Sequence, residues 1–166
     1  METYICATCG KTHSDLPSIG FAEPFHYQIL SKKDKEEIAL INEDLCRIGH
    51  DTQTDYFIRA VLQIPIIDHE KTLDYGIWVS VSEKTFKEYF LQIENKKPEE
   101  KTYFGMISNW IGDYESDTIG LHMNVDTQLG NFRPLLVPHE SSHPLVCDWE
   151  NGITYEEAER RVDKTF

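Results

Sequence analysis

Two alternating segments, residues 57–66 and 73–81, constrain this chain more than any other part of it. Ile58, Ala60, Leu62, Ile64 and Ile66 occupy every second position, with Arg59 and Gln63 among the residues between them. Leu73, Tyr75, Ile77, Val79 and Val81 repeat the pattern. Successive side chains of an extended strand point to opposite faces, so each segment predicts a strand with one buried face. The polar link at 68–72 joins them and predicts an antiparallel hairpin.

The flanking sequence supplies helices and further strands. Ser31 can cap a helix over 31–43, with Ile38, Ile41 and Leu45 at helical spacing. Ser82 can cap another, with Phe86, Tyr89, Phe90 and Ile93 on one face that reads as core. Residues 95–101, with Pro98 among charges, read as a linker. Strands are expected at 103–110, at 119–126 and at 133–137. Thr154-x-x-Glu157 is a capping box for a last helix with Tyr155, Ala158 and Val162 inward. Hairpins without regular β-α alternation predict an α+β fold: a mainly antiparallel sheet of about five strands, with flanking helices and an N-terminal Cys-x-x-Cys knuckle. At 166 residues the chain suits a single domain, 1–166, with the knuckle at 1–20 and the α+β body at 21–166.

Charge narrows the partners. Lys plus Arg is 16 against 29 Asp plus Glu, a net charge of −13. Such a chain repels a nucleic-acid backbone unless cations are concentrated, and the two short basic runs, at 32–35 and 96–97, lie among acids. No apolar run approaches a membrane span, and no basic-then-apolar leader opens the chain. The expected setting is the cytoplasm, with an unknown protein or small molecule as partner and neither nucleic acid nor membrane.

In that reducing setting the four cysteines are expected to ligate metal or be buried rather than to form disulfides. Cys6-x-x-Cys9-Gly10 presents two thiolates to one ion, and Gly10 lets the backbone curl around it. His13 is within reach as a third ligand. The fourth must come from further away, from Cys46, His26, His143 or Cys147. Cys46 is preferred, because a thiolate binds zinc tightly and because Cys46 is expected at the end of the first helix. The expected cofactor is therefore a structural zinc held by Cys6, Cys9, His13 and Cys46.

His139-Glu140-Ser141-Ser142-His143 spells H-E-x-x-H, which on a helix holds a catalytic zinc beside a general base. Pro144 follows directly and disfavours helical geometry at His143, so the spelling reads as coincidental. A zinc-dependent hydrolase on His139, Glu140 and His143 is the alternative reading, and an acidic inhibitor of a basic partner is another. Arg59 and Trp78 fall on the polar faces of the two hairpin strands, where a cation beside an aromatic ring can bind an anion or cover a second core. With His143 they make a candidate binding surface. No Gly-rich phosphate loop and no Gly-x-Ser-x-Gly elbow occurs in the sequence.

Cys6-x-x-Cys9-Gly10-x-x-His13 with Leu16-Pro17 resembles the opening of the bacterial family known as domain of unknown function 2199. Further matching pieces follow in order: Asp44-x-Cys46, Phe57-Ile58-Arg59, Ile64-Pro65-Ile66, Gly76-x-Trp78-Val79-Ser80, Thr118-x-x-Leu121, Arg133-Pro134 and His143-Pro144-Leu145. The resemblance covers nearly the whole chain. It implies a single compact bacterial domain with no established activity. Cys6, Cys9, His13, Cys46 and His143 fall on the family-like pattern, whereas His139 and Cys147 do not. The resulting expectation is a small non-enzymatic binding module with a structural zinc knuckle.

Overall fold

A computed structural model describes residues 4–5, 12–13 and 16–165. The elements run β1 (Tyr4–Ile5), β2 (Thr12–His13), β3 (Ile19–Gly20), α1 (Phe25–Gln28), α2 (Lys32–Ile38), β4 (Ala39–Ile41), β5 (Leu45–Gly49), β6 (Thr54–Pro65), β7 (Thr72–Val81), α3 (Glu83–Glu94), β8 (Thr102–Ile107), β9 (His122–Asp126), β10 (Leu135–Pro138), α4 (Pro144–Asn151) and α5 (Tyr155–Thr165). The fold is α+β, as expected.

The hairpin is its backbone. β6 and β7 pair antiparallel from Tyr56↔Val81 to Pro65↔Thr72. Each long strand then divides its other edge between two neighbours. β6 gives its N-terminal half to β5, through Leu45↔Ile58 and beyond, and its C-terminal half to β10, through Leu135↔Val61. β7 pairs with β3 at Tyr75 and Gly76 and with β8 at Val79 and Ser80. β8–β9 and β9–β10 are antiparallel.

This closes β6–β7–β8–β9–β10 into a five-stranded barrel and corrects the expected sheet. A mainly antiparallel open sheet would leave two edges exposed; here β10 returns to β6. The reason for the parallel closure is parity: after four reversals the fifth strand runs in the direction of the first. Closure removes edges that would otherwise invite pairing with other chains.

The inward residues of the barrel form the main core, where Ile58, Ala60, Leu62, Ile64, Leu73, Tyr75, Ile77 and Val79 are all buried. Leu145 and Val146 of α4 and Ala158 and Val162 of α5 join them. Gly105 marks how tight the interior is: a Cβ there would meet Val125 Cγ2 at 2.9 Å and the Ser80 carbonyl oxygen at 3.1 Å. A second core lies on the other face of the hairpin, where Ala39, Cys46, Ile48, Phe57 and Trp78 pack together.

Local expectations are met in several places. Ser31 and Ser82 cap α2 and α3, accepting from Asp34 N at 3.1 Å and Thr85 N at 3.1 Å. Thr154 accepts from Glu157 N at 3.1 Å at the start of α5. Three expectations are corrected. The helix placed over 31–43 stops at Ile38, because Asn42 Oδ1 accepts from the backbone N–H groups of Asp44 and Leu45, both at 2.8 Å, and turns the chain into the β4–β5 hairpin. Cys46 therefore lies on a strand, not at a helix end. On α3, Tyr89 is buried but Phe90 and Ile93 are 43% and 42% exposed, so that face is only partly core.

Candidate functional site

The edge of β6 passes from β5 to β10 at one point, and that point organises the candidate site. The Arg59 N–H donates to the Asp44 carbonyl at 2.9 Å, and two residues on the Val61 N–H donates to the Pro134 carbonyl at 2.9 Å. The ends of two strands distant in sequence thus meet side by side. Arg133 Nε donates to Asp44 Oδ1 at 2.9 Å across the gap. Gln128 Nε2 holds the Arg133 carbonyl at 2.7 Å, and Gly130, at φ +83°, makes the turn between them.

A cleft of about 910 Å³ opens here, lined among others by Asp44, Tyr89, Ile93, Lys96, Phe132 and Arg133. Its apolar wall is exposed: Phe132 is 69% accessible and Ile93 42%. The Tyr89 hydroxyl is pushed up to about 12, first by burial and then by the Asp44 carboxylate, with Arg133 opposing. Tyr89 is therefore a neutral hydrogen-bonding group here, not a base.

Arg59 adds a second cation beside this cleft, one of whose nitrogens has no hydrogen-bond partner among the described residues. Its Nε is buried and makes no hydrogen bond. Its guanidinium lies over a floor without side chains: a Cβ on Gly20 would stand 3.3 Å from Nη2, and one on Gly76 would stand 3.8 Å from it. Burial lowers its hold on the proton, and Arg133 nearby lowers it further, while Asp44 and Glu43 work the other way. Asp44 already pairs with Arg133. An arriving carboxylate would relieve both the desolvation of Arg59 and its repulsion from Arg133.

The other sequence candidates are dispersed. Trp78 is 0% exposed, with Nε1 donating to the Phe21 carbonyl at 3.0 Å, so it is second-core rather than surface. It does pair with Arg59 across the hairpin. His143 caps α4: its Nδ1 accepts from Leu145 N at 3.0 Å, and its Nε2 lies 3.1 Å from the Asp117 carbonyl. Pro144 occupies the first turn of that helix, where its missing N–H costs nothing. The H-E-x-x-H spelling is accordingly not helical; His139, on the strand side, contacts Asn124 Oδ1 at 2.8 Å instead, and Glu140 is exposed.

Cys46 is 1% exposed in the second core, and burial, with Glu23 after it, pushes its thiol up to about 12. Cys6 and Cys9 lie outside the described residues, as does the side chain of His13. Among the described residues no group of three or more His, Cys, Asp or Glu side chains is placed to hold a metal ion, and no helix is long and apolar enough to cross a membrane.

One polar cluster carried no sequence signal. Arg161 is 5% exposed and donates to Glu157 at 2.8 Å, Asp148 at 2.8 Å and Tyr114 Oη at 2.9 Å. Burial opposes its charge, but these acceptors hold the proton well above the ordinary arginine range. Tyr75 reaches Asp113 from the same cluster at 2.9 Å. The groups satisfy one another, so this is structural.

The family described as an uncharacterized protein conserved in bacteria (DUF2199) matches residues 5–153. The chain belongs to that family. No curated protein and no solved structure matches it. Asp44, Arg59 and Arg133-Pro134, among the residues that carry the resemblance to this family, are far apart in sequence. The fold brings these together at the β5–β10 junction.

Proposed function

We propose that this DUF2199 protein is a non-enzymatic binding module of the bacterial cytoplasm, and that the junction cleft holds a small amphipathic carboxylate. Arg133 on the cleft wall receives the carboxylate, Arg59 adds its charge from beside the cleft, and Phe132 and Ile93 receive the apolar part. The observation that carries this reading is the buried, unpartnered Nε of Arg59 beside Arg133.

The test is a two-dimensional NMR titration of full-length protein with a panel of aryl and alkyl carboxylates. Shifts clustering at residues 44, 59, 89 and 133 are expected. Arg59→Gln should weaken the binding by roughly tenfold or more, the worth of a charge-assisted hydrogen bond. A folded Arg59→Gln protein that binds equally well, or a panel that moves nothing, refutes the reading.

The zinc knuckle belongs to the same proposal, with Cys6, Cys9, His13 and Cys46 as ligands. It is supported by the antiparallel pairing of β1 with β2, Ile5 opposite Thr12 and Tyr4 opposite His13, which brings the residues on either side of the Cys-x-x-Cys segment alongside each other. Binding would deprotonate the Cys46 thiol, which a zinc ion achieves outright. Metal analysis checks it: about one zinc per chain should be lost in both Cys9→Ser and Cys46→Ser. Retention in Cys46→Ser places the fourth ligand elsewhere, and retention in Cys9→Ser removes the knuckle.

A further inference from the structure

A second set of donors sits on the outer face of the barrel. Met106 of β8 pairs directly with His122 of β9. The β9–β10 register runs from Leu135↔Asp126 to Pro138↔Met123, and its next step sets His139 against His122, with His139 N donating to the His122 carbonyl at 3.0 Å. Met106, His122 and His139 thus form one row across three strands. Gly105, Ile107 and Met123 beside them are buried, so the row faces outward, with Met106 36% exposed and His122 exposed.

The two imidazoles are in contact, their centroids 6.0 Å apart and their planes at 86°. Phe104 stands edge-on to His122 at 5.1 Å and tilted against His139 at 5.7 Å. Asn124 Oδ1 lies 2.8 Å from His139 Nε2. An amide oxygen only accepts, so a proton on Nε2 faces Asn124 and Nδ1 is the nitrogen left for an ion. A second nitrogen anchored to an oxygen acceptor is the usual arrangement behind a metal-bound histidine.

We propose that Met106, His122 and His139 bind a copper(I) ion, with Asn124 as a positioning residue. Two imidazoles and one thioether match a soft monovalent ion, whereas magnesium and calcium demand oxygen ligands. Methionine's unbranched, flexible side chain lets the sulfur adapt to the ion. Phe104, 49% exposed, packs against both rings. This site is separate from the junction cleft and does not depend on it.

Thiols also take copper(I), so total uptake does not test the site. The measurement is NMR of full-length protein carrying labelled methionine methyl groups and histidine rings. Copper(I) is added anaerobically, in excess over the four cysteines. Saturable shifts of the Met106 methyl and both rings are expected. His139→Ala should abolish the Met106 shift, and Asn124→Ala should weaken binding roughly 10- to 100-fold with the fold intact. A Met106 methyl and His122 and His139 rings that stay unmoved while the thiols fill overturn the proposal. So does a Met106 shift that survives His139→Ala.

Discussion

Arg161 shows how one residue's surroundings set both its charge and its cost. Its guanidinium is enclosed by Glu157, Asp148 and Tyr114, with Tyr75 Oη at 3.3 Å. Arg161→Met keeps much of the volume but leaves Asp148 without its cation. Removing one member of a buried pair costs about 3–5 kcal/mol, so urea unfolding should show a loss of that order. Glu157 makes a pH prediction. Its carboxyl is held down to about 2, first by hydrogen bonding to Arg160, with Arg161 assisting against burial. A depressed carboxyl contributes its stability above the unfolded value, near 4.5, and loses it as pH falls toward 2. Unfolding free energy should therefore decline across that interval, and Glu157→Gln should flatten the decline. An unchanged slope in the variant would remove Glu157 from the acid response.

At the scale of elements, caps and turns decide boundaries that periodicity leaves open. The spacing of Ile38, Ile41 and Leu45 fits a helix, yet Asn42 captures two backbone N–H groups and the segment becomes a hairpin. At α4 the reverse holds: a proline that looks like a helix stop is the first helical residue, because His143 before it accepts from Leu145 N. His143→Ala should destabilise the protein by about 1 kcal/mol through loss of this cap. His143→Asn should recover most of it, since asparagine is a strong N-cap. Thermal unfolding of the two variants distinguishes capping from any other role, because a ligand-binding histidine would not be replaced by asparagine without loss of binding.

For the molecule as a whole, closure of the barrel leaves little room inside. Gly105 carries its Cα where Val125 and the Ser80 carbonyl already press. Gly105→Ala should cost about 1–3 kcal/mol by overpacking, and amide exchange should accelerate at the β8–β9 pairing first. An alanine variant with wild-type stability would mean the strands can part without penalty. By itself the sequence determined the β6–β7 hairpin, the approximate places of three further strands, the capped starts of α2, α3 and α5, and the facing of Arg59 and Trp78 away from the barrel interior. These follow from alternation and from side chains that bond their own backbone, interactions a few residues long. Only the tertiary structure decided that β10 returns to β6, that Trp78 is buried under a second layer, and that Asp44, Arg59 and Arg133 meet. Those outcomes rest on pairings between distant segments. Residue patterning says which face of a strand is apolar, but it carries no record of which strand will lie alongside.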